Sequence, residues 1–432
     1  MTIAQQIPVV DLKVLAGSDE AAKAAREALD RGLSEFGLIF IKGHGIDTAE
    51  LEAFYNDFVA LTERPMDEKL ALGGADIWYQ RGYTPPNTEQ AVAATGQPDF
   101  KECYFAAPIE TDEALHTEFP QIFAHNVWPE NGDDFKRRYL ALGKRLHEVG
   151  LELLTGAARA LDLEADAFTS ATEGGPHLSR ILRYLPLKNE QVGNVLWGEE
   201  HTDFNLLTLL PGGRFFDPDG EPCARPDDSA GLYLRTRATA DAPHGSLLRG
   251  TAPEGCIVSQ VGQQLEILTG GRLLATPHII RPPQAPGYTR MAAAHFIHAH
   301  AHQLMFPFEP FREDTTIRGY SPPVLAGTYG TKTLVDIGLA PTECLDSLGY
   351  RHYDRLAKQR RALSALTGLH RQLALQRLKV DLPGAADLLM PDVLGDQRPR
   401  LGNRTQRHML LDGQRREHPP PTRAARLAGQ LQ

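Results

Sequence analysis

The sequence predicts an α+β fold in which helices precede a β-rich core. Two segments, 19–37 and 134–161, carry apolar residues at helical spacing, and Gly37 closes the first of them. From residue 175 to about residue 310 the pattern changes to short runs of Leu, Ile, Val, Phe and Tyr between Gly and Pro turns. Short strands separated by regular turn signals are typical of a β-sandwich or barrel.

The remaining elements follow from local patterns along the chain. Apolar runs predict strands at 7–12 and 38–41. Amphipathic spacing predicts helices at 19–37 and 48–63, and Pro65 ends the second of them. Pro and Gly interrupt residues 65–133, which we expect to be mostly irregular. The runs expected to form core strands are SRILRYLP, HTDFNLLTLLP, GLYLRTR, CIVSQVG, EILTGG, ATPHII and RMAAAHFIHAH.

These changes of pattern divide the chain into four regions. We expect an N-terminal helix and strand region at 1–130, a helix with the β-rich core at 131–310, and a C-terminal loop and helix at 311–380, with the helix itself at 352–378. The last region, 381–432, contains many arginines and a Pro run but little apolar periodicity. Such a composition predicts a flexible tail.

Charge and cysteine content exclude some classes of function. Acidic side chains outnumber Lys and Arg by 55 to 45, and the net charge of −10 repels phosphate, which disfavours a nucleic-acid partner. We therefore expect a small-molecule substrate and a monomer or weak homo-oligomer. The segment MTIAQQIPVVDLKVLAG does not predict a signal peptide, and no run of about 18 apolar residues occurs, so we expect a cytoplasmic protein with no membrane partner. The cysteines form no C-x-x-C pair and are expected to be free thiols: Cys103, Cys223, Cys256 and Cys344.

The strongest candidate for a functional site is a set of metal-binding side chains. His201 and Asp203 are separated by one residue in a predicted strand, so both can point to one face. His278 begins another predicted strand 75 residues after Asp203. Two histidines and one carboxylate on one side of a metal are the usual ligands of non-haem iron(II) oxygenases. The alternative for the His-x-Asp pair alone is a surface histidine beside a solvated carboxylate.

Arg290 supports the oxygenase interpretation. It lies twelve residues after His278, at the start of an apolar strand. A buried arginine needs an anionic partner, and its planar group fits a carboxylate through two parallel hydrogen bonds. The far carboxylate of 2-oxoglutarate is a candidate, and a structural ion pair with Asp or Glu is the alternative.

The order of these motifs resembles the isopenicillin N synthase-like superfamily of iron(II)/2-oxoglutarate oxygenases over about residues 7–310. The segments that carry the resemblance are IPVVDL…FGLIFIKGHGI, GQPDFKECYF, SRILRYLP, HTDFNLLTLL, LEILTGGRLLATPHII and RMAAAHFIHAH. The resemblance implies a double-stranded β-helix, or jelly roll, flanked by helices. It also implies Fe(II) bound by His201, Asp203 and His278, with 2-oxoglutarate and O₂ as cosubstrates.

Two features depart from the usual family pattern. Most members have Arg-x-Ser, whereas this chain has Ala292 two residues after Arg290, and the interval from His278 to Arg290 is about three residues longer than usual. The chain resembles bacterial ethylene-forming enzymes in having Ala292 in place of this serine, and also in the run TGGRLLATPH. Neither departure removes a metal ligand.

Further pocket residues are implied by the same resemblance. Tyr184 could bind the cosubstrate carboxylate, Arg180 could meet an anionic substrate, and Phe204 could form a wall of the site. For each of them a surface or core role is the alternative. The other residues expected near the pocket are Leu182, Ala292, Glu89 and Tyr83.

The sequence thus predicts a dioxygenase that oxidises a small molecule and releases succinate and CO₂. Two alternatives remain open: an iron oxidase or synthase of the same superfamily that does not use 2-oxoglutarate, and a catalytically silent cupin-like binding protein. The sequence does not distinguish hydroxylation, desaturation, cyclisation and ethylene formation, because the loops that line such pockets are the least constrained parts of the fold.

Overall fold

The computed structural model describes residues 7–89, 100–111, 113–236, 242 and 245–348. The helices in this part of the chain are α1 Leu12–Leu15, α2 Glu20–Arg31, α3 Thr48–Thr62, α4 Met66–Leu70, α5 Glu113–Glu118, α6 Asp133–Ala160, α7 Ala167–Thr172, α8 Gln263–Leu268, α9 Asp314–Gly319, α10 Ala326–Asp336 and α11 Glu343–Ser347. The strands are β1 Val9–Asp11, β2 Leu38–Lys42, β3 Gly82–Thr84, β4 Lys101–Ala106, β5 Leu178–Tyr184, β6 Gly198–His201, β7 Leu207–Leu210, β8 Gly213–Phe216, β9 Pro222–Cys223, β10 Gly231–Arg235, β11 Leu247–Arg249, β12 Ile257–Val261, β13 His278–Arg281, β14 Thr289–Ile297, β15 Leu304–Met305 and β16 Val324–Leu325.

Two compact units divide the chain. The larger comprises residues 1–312 and 322–342 and contains every strand given above. The smaller comprises residues 313–321 and 343–432, and its described part contains the short helices α9 and α11. The helix expected at 352–378 and the tail expected from 381 lie outside the described residues. No helix in the described part of the chain is both long and apolar enough to cross a membrane.

Two sheets form the core of the larger unit. The ten-stranded sheet has the order β1-β2-β12-β7-β14-β5-β4-β3, with β8 and β9 attached beside β14, and all its strand pairs are antiparallel except β1 with β2. The smaller sheet has the order β11-β10-β13-β6. One apolar cluster joins side chains of both sheets, among them Leu182, Phe215, Val258, Leu234 and Ile280. Two antiparallel sheets around a shared interior form the expected jelly roll.

Helices cover the outer face of the large sheet. The 28 residues of α6 place Leu146, Val149 and Leu153 in one cluster with Leu209 of β7 and Ile297 of β14. The three α6 residues recur at i, i+3 and i+7, which is the spacing of one helical face. The predicted helix at 134–161 is confirmed within one residue at each end.

The predicted helix at 19–37 is also confirmed, and its last residue has a specific structural role. Asp19 caps α2 by accepting a hydrogen bond from the Ala22 amide, and the helix continues through a π-helical turn to Gly37, whose φ is 63°. A Cβ on Gly37 would lie 2.2 Å from the Leu274 carbonyl oxygen and 2.1 Å from Thr276 Oγ1. Glycine is required here because the helix end lies directly against the segment that leads into β13.

One prediction of local structure missed two strands, and another was wrong. Residues 65–133 are mostly irregular as expected, but β3 and β4 within them extend the large sheet beside β5. All six residues of β4 are buried, so the strand lacks the alternation by which sequence patterns reveal a half-buried strand. The run EILTGG was expected to be a strand, but its first three residues end α8, whose Leu265 and Leu268 are buried at helical spacing.

Candidate metal centre and adjoining cavity

The three predicted metal ligands meet at the ends of neighbouring strands. His201 is the last residue of β6, His278 is the first residue of β13, and the two are direct partners in the antiparallel register. Asp203 lies just beyond β6, not within a strand as expected, yet its Oδ1 is 3.7 Å from His201 Nε2 and 3.8 Å from His278 Nε2. One ligand atom from each residue lies within 4.8 Å of the others.

The ionisation of these groups suits a metal. Burial alone would raise the pKa of Asp203, but the neighbouring His278 and His201 and the hydrogen bonds from Thr208 and Gln260 lower it to about 2. Burial lowers the pKa of His278 to about 4. At neutral pH the site therefore offers a carboxylate and a neutral imidazole, the forms in which Asp and His bind metals. The donor set fits Fe(II), and three protein ligands leave positions for other molecules.

A surrounding layer of hydrogen bonds fixes the ligands. Thr208 Oγ1 and Gln260 Nε2 both donate to Asp203 Oδ2, over 2.7 and 2.6 Å. The Nδ1 atom of His201 lies 2.7 Å from the Glu199 carbonyl oxygen, which leaves Nε2 for the metal. Sequence reasoning missed Thr208 and Gln260. The available signal was a polar side chain inside each of two apolar runs, LLTLL and CIVSQVG.

Arg290 and Tyr184 lie together on the inner face of the jelly roll. They are direct partners in the register of β14 and β5, and the Arg290 guanidinium carbon lies 5.7 Å from the centre of the Tyr184 ring. The ring of Phe215 is 5.8 Å from the same guanidinium carbon. Among the described ion pairs, none joins Arg290 to a carboxylate of the protein. The positive charge thus lies in an aromatic, partly buried environment that suits an external anion.

A cavity of about 540 Å³ adjoins the metal ligands. The predicted site residues on its wall are His201, Asp203, Phe204, Arg180, Tyr184 and Glu89. Those that do not line this wall are His278, Arg290, Tyr83, Leu182 and Ala292, the last two of which belong to the apolar interior between the sheets.

Helix α10 forms another wall of the cavity and is linked to the metal ligands by hydrogen bonds. The Tyr329 hydroxyl of α10 donates to Gln263 Oε1, and the Gln263 amide in turn donates to Thr202 Oγ1. Because Thr202 lies between His201 and Asp203 in the chain, this series of bonds connects α10 to the segment that carries two of the ligands.

Glu89, Lys101 and Arg180 form a charged cluster on the cavity wall. Glu89 lies 2.8 Å from Lys101 Nζ and 4.0 Å from Arg180. Burial would raise the pKa of Glu89, but Lys101 and Arg180 lower it, so this residue is ionised at neutral pH. Arg180 lies between the rings of Phe105 and Phe296, at 5.9 and 5.1 Å, and its Nε has no hydrogen-bond partner.

Arg81 is a wall residue that sequence reasoning missed. Its side chain is almost fully buried and donates to two backbone carbonyls, those of Gln80 and Ile122. Its Nε has no partner, and burial lowers the pKa of the guanidinium to about 10. The residue precedes β3, in the region that the sequence predicted to be irregular, so its burial was not foreseen.

Tyr83 does not lie on the cavity wall, although it was expected near the pocket. It points to the outer face of the sheet, into an aromatic cluster with Tyr104, and its hydroxyl donates to Glu102 Oε2 over 2.6 Å. Arg81 and Tyr83 are two residues apart and would share one face of a regular strand. Between them the chain turns at Gly82, whose φ is 73°, and this turn separates the two side chains.

The chain is similar to known proteins in sequence and in fold. Residues 7–131 match the family described as non-haem dioxygenase in morphine synthesis, N-terminal. A homoarginine-6-hydroxylase of Oryza sativa subsp. japonica is 26% identical over 327 residues, 72% of this chain and 90% of the relative. An isopenicillin N synthase of a Flavobacterium is 26% identical over 222 residues, 47% of this chain and 65% of the relative.

A solved structure confirms the fold. A full-length Neurospora crassa protein in complex with alpha-KG superposes with a TM-score of 0.60 at 21% identity, and the match covers 76% of this chain and 95% of that protein. At this identity the likeness concerns the fold, and it confirms the jelly roll with flanking helices.

Proposed function

We propose that the chain is a non-haem dioxygenase of the isopenicillin N synthase-like superfamily of iron(II)/2-oxoglutarate oxygenases and that it acts on a small molecule. The observation that carries the proposal is the His201, Asp203 and His278 cluster beside a cavity of about 540 Å³. Bound iron would couple the oxidative decarboxylation of 2-oxoglutarate by O₂ to oxidation of a substrate C–H bond, with release of succinate and CO₂.

The protein's own residues have three tasks in this proposal. His201, Asp203 and His278 hold the iron, Arg290 binds the far carboxylate of 2-oxoglutarate, and Tyr184 packs against Arg290. Among the described residues, no ion pair joins Arg290 to a protein carboxylate. This observation supports a function that uses 2-oxoglutarate over an iron oxidase that does not. An intact set of ligands likewise opposes a silent binding protein.

The test is an anaerobic titration of the full chain with Fe(II), with and without 2-oxoglutarate, followed by admission of O₂. We expect a weak visible charge-transfer band only with both compounds, and then succinate in amounts equal to the 2-oxoglutarate consumed. Asp203→Ala should lose both signals while keeping its far-ultraviolet circular dichroism, because two ligands hold a divalent ion poorly. O₂ uptake without succinate would support the oxidase, and neither signal would support the binding protein.

We further propose that the substrate is a small carboxylic acid, amino acids included. Arg81 and Arg180 both line the cavity, and each has an unpartnered, buried Nε, which favours an anion. Homoarginine, which the name of one relative gives as its substrate, has the required carboxylate. Apolar residues of the wall formed by α10 and the segment after it, such as Leu334 and Ile337, would contact the rest of the molecule.

Matched pairs of compounds test this substrate class. Succinate release should rise with homoarginine or another acid and much less with the corresponding amide. Arg180→Gln should lower the response to the acid, whereas Arg183→Gln should not, since Arg183 lies on the opposite face of β5 and contacts Thr62 and Glu102. Equal succinate release with acids and with the corresponding amides would show that Arg81 and Arg180 do not bind a substrate carboxylate.

We also propose a cytoplasmic protein that works as a monomer or weak homo-oligomer and binds no nucleic acid. The net charge of −10, which repels phosphate, supports the last of these points. Light scattering during gel filtration at two protein concentrations tests the oligomeric state. If the measured mass stays at twice the mass of the chain on dilution, the protein is a stable dimer and the proposal of a monomer or weak homo-oligomer is wrong.

A further inference from the structure

A second group of metal-binding side chains lies on residues 111–125, apart from the candidate iron site. Glu113, His116 and His125 each offer a ligand atom, and these atoms lie within 4.8 Å of one another. The rings of His116 and His125 stack with centres 4.5 Å apart. In the described part of the chain, this group and the iron ligands are the two that have such a geometry.

Local structure explains why the three residues meet. Glu113 and His116 are three positions apart on α5, so they lie on one face of the helix. The chain then turns back, anchored by the buried rings of Phe119 and Phe123, and returns His125 to His116. The Phe123 amide donates to the Phe119 carbonyl, which closes this turn.

We propose that Glu113, His116 and His125 bind a second divalent transition-metal ion such as Zn²⁺. Imidazole and carboxylate are its usual ligands, and three of them leave a position for water. Thr111 Oγ1 lies 3.0 Å from His116 Nε2 and so orients that ring, as neighbours of metal-binding histidines commonly do.

The adjustment needed to bind the ion is small. Ligand atoms around tetrahedral zinc are about 3.3–3.6 Å apart, given Zn–N and Zn–O distances of about 2.0–2.2 Å. Glu113 and His125 are exposed, so they can rotate toward His116 without disturbing the core and carry little desolvation cost.

The position of this site gives the ion a structural role at the cavity. Ile122, within the turn that the ion would close, lies on the cavity wall, and its carbonyl accepts a hydrogen bond from Arg81. Phe119 packs against the start of α10, where a Cβ on Gly327 would lie 2.7 Å from the phenyl ring. A metal that joins Glu113 to His125 would therefore hold one wall of the cavity in place.

Metal content after dialysis tests the inference. The full chain is stripped with a chelator, dialysed against buffered micromolar Zn²⁺ and analysed for bound zinc. We expect about two ions per chain in the wild type, and one in His125→Gln and in His278→Gln, because each substitution removes one site. His302→Gln is the matched control: it is an exposed histidine on a neighbouring loop, paired with Glu118, and should keep both ions.

A second readout separates this site from the iron site. Zinc should raise the melting temperature of His278→Gln, through the remaining site, but not that of His125→Gln/His278→Gln. Absence of zinc from His278→Gln, or equal zinc in the wild type and His125→Gln, would show that the two stacked histidines form no metal site.

Discussion

Arg290 is the residue whose substitution tests the cosubstrate most directly. Its guanidinium lies against Tyr184 and Phe215 without a described ion pair to a protein carboxylate. Arg290→Leu should remove a charge-assisted contact that commonly contributes about 2–5 kcal/mol, so the KM for 2-oxoglutarate should rise roughly 30- to 4000-fold. Arg290→Lys should restore only part of the loss, because an ammonium group cannot make two parallel hydrogen bonds.

Iron binding is the internal control for this experiment. Arg290 is not a ligand, so the affinity for Fe(II) in the absence of 2-oxoglutarate should stay unchanged. If the KM for 2-oxoglutarate is unaltered in Arg290→Leu while the affinity for the substrate falls, the arginine binds the substrate and the enzyme that uses no 2-oxoglutarate becomes the better interpretation.

Substitution of Gln260 tests whether the hydrogen bonds around the candidate ligands support iron binding. Its amide donates to Asp203 over 2.6 Å, and Gln260→Leu removes that bond from a buried carboxylate. We expect the affinity for Fe(II) to fall about 10- to 100-fold, the usual effect of losing such a partner. Ser259→Ala is the matched control on the same strand, since the Ser259 side chain points to the other face and its hydroxyl has no hydrogen-bond partner. Equal affinities in the two variants would contradict the positioning role.

The sequence singled out the candidate ligands, whose residue types and spacing are distinctive, and missed side chains that only three-dimensional packing brings to the same place. The three metal ligands could be proposed because their residue types and the strands around them match a metal site. Arg81, Thr208 and Gln260 carry no local signal beyond a polar side chain among apolar neighbours, and they reach the site because distant strands pair. Tyr83 shows the converse, since the turn at Gly82 directs it away from the cavity.

At the scale of whole elements, the helices were predicted best where one face of the helix is buried. The helices α2, α3 and α6 show apolar spacing along a single face, and caps such as Asp19 and Asp47 mark where α2 and α3 begin. The fully buried strand β4 has no such contrast between faces, and α8 is too short for a pattern of period 3.6 to be distinguished from a strand.

Helix α6 offers a test of how closely the helical layer packs on the sheet. A Cβ on Gly150 would lie 2.2 Å from Ile297 Cδ1 and 3.0 Å from Leu209 Cδ2. Gly150→Val should therefore lower the free energy of unfolding by about 1–3 kcal/mol through overpacking. Ala141→Val, at an exposed position of the same helix, should cost at most about 0.7 kcal/mol through helix propensity alone. Urea unfolding of both variants gives the comparison, and equal losses would show that Gly150 tolerates a side chain.

At the scale of the whole molecule, the same interface between helix and sheet contains buried titratable groups. His147 of α6 has its Nδ1 3.2 Å from His295 Nε2, and His295 Nδ1 lies 2.9 Å from Ser179 Oγ. His177 lies beside them, its ring centre 4.4 Å from that of His147. Burial lowers the pKa of all three histidines, to about 4 for His147. These imidazoles are thus neutral in the folded protein, and the unfolded chain binds protons more readily.

This cluster predicts loss of stability in acid. The pKa of His147 is lower in the folded state than in the unfolded chain. Its contribution to the free energy of unfolding is therefore fully present above the unfolded pKa of about 6.5 and is lost as the pH falls toward 4. The loss at pH 4 is on the order of 3 kcal/mol. Urea unfolding of the metal-free chain between pH 7 and pH 4 should show this decline, and His147→Gln should reduce its slope. His302→Gln, an exposed histidine, should leave the slope unchanged. A slope in His147→Gln equal to that of the wild type would mean that the decline comes from other groups.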